Sequence, residues 1–73
     1  MQTVDDLMEK AFFEGRDPRS AEYKQGARDV LVARMAGSAL PAIPFTLGTA
    51  QADAYLAGRE EGGIIWRTMA PAS

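Results

Sequence analysis

The chain predicts an all-α fold of three helices, with an extended strap between the second and third. Three observations carry that reading. Apolar residues recur at helical spacing in three stretches, each stretch opens on a Ser or Thr suited to cap it, and the long interruption holds two prolines. At 73 residues the chain makes one small helical domain, residues 1–73. A domain of this size buries only about 60% of the surface its unfolded form exposes, so its stability margin is thin.

The first helix is expected over about residues 4–14. Thr3 followed by Asp6 forms an N-cap with an acidic N3 residue, Asp being shorter than the usual Glu. Val4, Leu7, Met8, Ala11 and Phe12 make the apolar stripe, and Asp5 and Asp6 sit where the helix dipole favours them. Gly15 supplies a stop. Phe13 falls about 180° from the centre of the stripe.

Residues 15–20 read as a tight connection. Ser20 caps the second helix, expected over 21–36, with Asp17 followed by Pro18 as a competing start. Tyr23, Ala27, Val30 and Leu31 form its inward stripe, Met35 extends one edge, and Gly37 is placed to end it in a left-handed conformation. Gly26 costs the helix about 1 kcal/mol against Ala, which points to close packing on another backbone. Val32 points away from the stripe.

Residues 37–48 cannot be helical, because Pro41 and Pro44 remove donors and push their preceding residues toward extended geometry. Leu40, Ile43, Phe45 and Leu47 make this segment too apolar for a solvated linker, so it reads as a strap across the helices. The third helix, about 50–69, takes Thr49 as N-cap and ends before Pro71. Tyr55, Gly58, Gly62, Ile65, Trp66 and Met69 share one side. The Gly58–Gly62 spacing clears a ridge for a second helix, and Gly62–Gly63 is a place for a kink. Ile64 faces outward beside Asp53 and Glu60. No internal repeat stands out.

Composition narrows the function classes. With 47% hydrophobic and 25% charged residues, the chain is neither disordered nor collagen-like. No stretch approaches a membrane span and no signal-peptide pattern opens the chain, so the expected home is the cytoplasm. Cysteine and histidine are both absent. Their absence removes disulfides, thiolates, the usual neutral-pH acid/base group and the commonest zinc ligand. Only Lys10 and Lys24 remain to activate a hydroxyl nucleophile, and the adjacent pairs Asp5/Asp6 and Glu60/Glu61 diverge by about 100° on a helix. The expectation is a protein that is not an enzyme, with no cofactor and no metal.

The net charge is −2, unevenly spread: net −3 over residues 1–15, +2 over 16–36 and −1 over 37–73. That profile lacks the dense basic face of a dedicated nucleic-acid binder. Two arginines have two readings each. Arg34 lies within the apolar arc of the second helix, and Arg59 lies between Tyr55 and Trp66 on the third. Either they pair with carboxylates of the acidic first helix or reach the rim by their aliphatic stems, or Arg59, Tyr55 and Trp66 form a cation–π recognition cluster. Phe13, Val32 and Ile64 likewise are either buried by irregular packing or united in a homodimer seam or docking face. The candidate partner-binding residues are therefore Phe13, Val32, Arg34, Tyr55, Arg59, Ile64 and Trp66.

Pro44-Phe45, Gly48-Thr49 and the run Ala54-Tyr55-Leu56-Ala57-Gly58-Arg59-Glu60-Glu61-Gly62 resemble the Pro-Tyr…Trp-Leu-x-Gly-x-x-Glu signature of the ribosome modulation factor family. The short ciprofloxacin-resistance proteins of that fold look similar here. Glu22-Tyr23-Lys24-Gln25-Gly26 is similar to the glycine-containing stretch of the first family helix. The resemblance covers about residues 21–66. It implies two helices joined by a Pro-aromatic strap and crossing closely at Gly26, Gly58 and Gly62, and it implies ribosome association. Ile43 stands where the family has Cys, Phe45 where it has Tyr, and this chain is acidic where the family is basic.

Size, Ala/Arg/Gly-rich usage and the missing catalytic set also resemble accessory proteins of phages and mobile elements. These lead to the functional expectation: a small protein-binding module that inhibits or regulates a larger host or defence protein by surface contact. A second copy of the chain is a further expected partner, as a homodimer. Ribosome-associated regulation of translation is the alternative. A small phosphotransferase would need a nucleotide site that the sequence does not offer.

Overall fold

The computed structural model describes residues 2–13, 15–16 and 18–69, and it is all-α. The order is α1 (Val4–Ala11), α2 (Ala21–Ala36) and α3 (Ala50–Met69). The bounds of α2 and α3 are those the sequence predicts. Ser20 caps α2 by accepting the Tyr23 amide at 3.2 Å, and Gly37 closes it at φ 68°. Thr49 accepts the Ala52 amide at 3.2 Å and donates its hydroxyl to the Thr46 carbonyl at 2.6 Å. α3 runs through Gly62–Gly63 as one element, while Pro71 and the competing start at Asp17 lie outside the described residues.

The first helix is shorter than expected. It stops at Ala11 rather than near residue 14, and Glu14 lies outside the described residues. The capping box forms at its start: the Asp6 amide donates to Thr3 Oγ1 and the Thr3 amide donates to Asp6 Oδ2. At its end, Phe12 leaves helical geometry at φ −114°, ψ 53°, and its ring meets Tyr23 edge-on at 6.1 Å between centroids. The Arg16 guanidinium donates to the Ala11 carbonyl, satisfying a helix-terminal acceptor that a further turn would have used. Gly15, with φ 99°, turns the chain beyond the helix instead of capping it.

The fold is organised by the α2–α3 crossing. A Cβ at Gly26 would overlap the Tyr55 carbonyl and come within 2.9 Å of the Arg59 amide nitrogen. One at Gly58 would overlap the Tyr23 carbonyl, and one at Gly62 would lie 2.7 Å from the Ala27 carbonyl oxygen. The backbones are therefore in contact along three glycines, as the sequence implies. The pairs Tyr23/Gly58 and Ala27/Gly62 advance in the same direction on both helices, so the crossing has a parallel sense. The chain must then travel back along α2, about 24 Å at helical rise, before α3 starts. Residues 37–49 make that return, which is what requires an extended strap.

The strap packs through alternate residues. Phe45 lies against Tyr55, with 5.7 Å between ring centroids, and Ile43 is half-buried, whereas Leu40 and Leu47 stand out into solvent. Beside the crossing, Leu7 and Ala11 of α1 join Ala27, Leu31 and Ile65 in the core, with Val4, Met8, Phe12 and Trp66 packed around them. Met35, expected to extend one edge of the inward stripe of α2, and Met69, expected on the same side of α3 as Tyr55 and Ile65, are both exposed. Among the described residues, no helix is long and apolar enough to cross a membrane.

Candidate functional site

Beside the glycine crossing, α2, α3 and the strap border a common space. It is an open groove of about 980 Å³. Its apolar lining comes from Val30 on α2, Leu40 and Ile43 on the strap, and Leu56 and Ile64 on α3. Arg34, Arg59 and Arg67 line the same groove, with Glu60 as the one acidic residue among the lining. None of the groove residues belongs to the cluster that receives α1, so core and groove use different surfaces of the same two helices.

The groove is small-residue-floored by design of the sequence. Ala33 and Gly63 contribute no long side chain, and a Cβ on Gly63 would meet only the Arg67 guanidinium, at 3.5 Å. Leu56 and Ile64 are exposed although apolar, Ile64 by 51%. Two arginines outside the groove are held in ion pairs. Arg16 pairs with Glu61 at 2.8 Å and Arg28 pairs with Asp5, and these are the two ion pairs among the described residues. Arg59 donates to the Pro41 carbonyl at 3.5 Å and lies 5.7 Å from the Tyr55 ring centroid.

Three of the seven candidate residues, Arg34, Arg59 and Ile64, meet in this groove. Val32 lines a smaller depression that shares Ala33 and Ser38 with it. Phe13, 57% exposed, borders a third depression between α1 and α2 and shares no lining residue with the other two. The outward trio therefore does not form one seam. Neither Arg34 nor Arg59 pairs with the acidic first helix, whose Asp5 is taken by Arg28.

The expected Tyr55–Arg59–Trp66 cluster forms only in part. Tyr55 is 0% exposed, and its hydroxyl donates to Asp29 Oδ2 at 2.6 Å. It is a core residue that supports Arg59 from beneath. Trp66 packs against the Leu7–Leu31–Ile65 cluster and so faces the core that α1 covers.

A second polar cluster holds the crossing together. Tyr23 donates to Glu61 Oε1 at 2.5 Å, and Arg16 donates to the same oxygen at 2.8 Å. The Arg16 guanidinium, burial notwithstanding, holds the Glu61 carboxyl below its ordinary value of 4.5, with Tyr23 acting in the same direction. Burial first, and then the bond to Glu61, raises the Tyr23 phenol above 10.0; burial and the bond to Asp29 do the same for Tyr55. The two halves match: Tyr23, Gly26 and Asp29 on α2 have the spacing of Tyr55, Gly58 and Glu61 on α3. Each tyrosine reaches the other helix's carboxylate. This Tyr-x-x-Gly-x-x-acid repeat is the internal repetition that the sequence reading passed over.

Leu40, Leu56 and Arg67 are groove residues that the sequence reading did not select. The signal for them exists. Leu56, Glu60, Gly63, Ile64 and Arg67 recur at helical spacing, a second stripe on α3 beside the buried one. No family model, no curated protein and no solved structure matches the chain.

Proposed function

We propose that this chain is a non-catalytic protein-binding module whose working surface is the α2–strap–α3 groove. The supporting observation is the groove itself: exposed Leu40, Leu56 and Ile64 flanked by three arginines without carboxylate partners among the described residues. Apolar area interleaved with guanidinium groups is the make-up of interaction hot spots. A small domain keeps such a surface exposed at a cost in solubility, and contact with a larger protein offsets that cost. This mode of action suits an accessory protein of a phage or mobile element that obstructs a host or defence protein.

Peptide-display selection on the immobilised protein tests the reading. Enriched peptides should bind the native chain and lose binding to a Leu56→Asp/Ile64→Asp variant of unchanged thermal stability. Equal retention by that variant would place the working surface elsewhere. Ribosome-associated regulation is the second reading, favoured by the convergence of Arg34, Arg59 and Arg67 on one face. It requires co-sedimentation with ribosomes that weakens steeply with salt, and the apolar lining and Glu60 argue for no co-sedimentation.

A further inference from the structure

We infer that the occupant of the groove is an amphipathic helical segment of a partner protein, apolar on one face and edged with carboxylates. The inference rests on the groove being the working surface and goes on to say what that surface takes. Charge carries it first. The chain as a whole is acidic, at net −2, yet the groove lining has three arginines against a single glutamate. Outside the groove, Arg28 pairs with Asp5 and Arg16 with Glu61, and Arg19 lies over the Tyr23 ring. Arg34, Arg59 and Arg67 are spread over both helices, so an incoming segment meets cations on either side of an apolar floor. Planar guanidinium groups recognise carboxylates by paired hydrogen bonds, and desolvation over apolar surface strengthens them.

Backbone chemistry then selects the occupant's conformation. An extended peptide binds chiefly by adding its amides and carbonyls to a strand edge. The described residues contain no strand. The extended element beside the groove is the strap, where Pro41 and Pro44 lack N–H donors and the Pro41 carbonyl already faces Arg59. A segment that satisfies its own backbone bonds, an α-helix, loses nothing on entering such a groove. Its apolar face at i, i+3, i+4 and i+7 covers Leu40, Leu56 and Ile64, and its flanking Asp or Glu residues reach the arginines. A sugar–phosphate backbone satisfies the guanidinium groups equally but leaves the apolar floor uncovered. A second copy is a poorer fit: the acidic helix α1 already commits its apolar residues Leu7 and Ala11 to its own core.

NMR titration of the full chain tests this, following the Leu40, Leu56 and Ile64 methyls and the side-chain N–H signals of Arg34, Arg59 and Arg67. The probes are a 15-residue amphipathic helical peptide with a Leu face and Glu flanks, the same peptide with Gln for Glu, the same with Lys for Glu, and a single-stranded RNA 15-mer. The Glu peptide should move groove signals and bind about tenfold tighter than the Gln peptide at low salt, with the Lys peptide weakest. An Arg34→Glu/Arg67→Glu variant should reverse that order, with the Lys peptide now tightest, while Arg19→Glu/Lys24→Glu, which line a separate depression, should leave it intact. Equal binding of the Glu and Gln peptides in the groove overturns the inference but leaves the groove as the working surface. Stronger response to RNA, or groove shifts that track protein concentration alone, overturns it in favour of nucleic acid or a second copy. No response from the groove to any probe overturns the inference and the groove reading together.

Discussion

Three glycines in α2 and α3 have opposite consequences, set by what lies beyond each hydrogen. At Gly26 and Gly58 the neighbour is a carbonyl of the facing helix, which cannot rotate away. Gly26→Ala and Gly58→Ala should each cost about 3 kcal/mol or more, since only a shift of one backbone against the other relieves the overlap. At Gly63 the space is open apart from the mobile end of Arg67. Gly63→Ala should stabilise by up to about 1 kcal/mol through helix propensity alone. Thermal melts of the three variants check both signs at once. Tyr55→Phe, which removes the bond to Asp29 without changing ring packing, should cost about 1 kcal/mol. The glycine pattern was readable as close packing from residue type and spacing. The reciprocal tyrosine–carboxylate bonds were not, because Asp29 and Glu61 look like ordinary solvated charges until a partner helix is placed against them.

At the level of elements, α2 and α3 stabilise each other, and α1 is an addition to the pair. α1 has eight residues, fewer than the roughly 12–15 an isolated helix needs to persist in water, so it depends on Leu7, Ala11, its capping box and Arg16. Arg16→Ala removes the donor to the Ala11 carbonyl and the partner of Glu61. Amide exchange should then accelerate throughout α1 while α2 and α3 keep their protection. Proportionate acceleration in all three helices would show a single cooperative unit.

The Arg16–Glu61–Tyr23 cluster and the capping box of α1 both make stability depend on pH. A carboxyl whose folded-state pKa is depressed is stabilising above its ordinary value and loses that contribution as pH falls through the folded value. Glu61 and Asp6 are both depressed, Glu61 chiefly by Arg16 and Asp6 chiefly by the Thr3 amide. The raised phenols of Tyr23 and Tyr55 act in the opposite sense, stabilising below pH 10.0 and ceasing to as pH rises through their folded values. Stability should therefore be flat from about pH 5 to 10 and fall on both sides. Glu61→Gln should soften the acid limb, as read from chemical denaturation across pH.

Helix ends marked by local chemistry were legible: Ser20, Thr49 and Gly37 act on their own backbones. The end of α1 was not. It depends on Arg16 folding back and on Phe12 turning toward Tyr23, both tertiary events that override the Gly15 stop.

For the whole molecule, the structure separates two surfaces that one-dimensional periodicity merges. Helical spacing placed Tyr55 and Trp66 with Arg59, but a crossing helix divides that arc. Tyr55 lies under the strap, Trp66 lies on the α1 side, and Arg59 is left at the rim of the groove. Phe13 and Ile64 were alike as outward residues of their helices, yet only Ile64 belongs to the groove, because the relative placement of α1 and α3 is not encoded in either stripe alone. Arg34, Arg59 and Ile64, singled out in the sequence for separate reasons, line one groove on a chain whose overall charge has the other sign.

Complementarity between that surface and a carboxylate-edged helix is measured most directly by a charge-swap titration. Binding of the Glu-flanked and Lys-flanked peptides to the native chain and to Arg34→Glu/Arg67→Glu, compared as a double-mutant cycle, should show a reversal of preference. The native groove takes the acidic peptide and the reversed groove takes the basic one. An unchanged order of affinities on the two proteins would contradict the account.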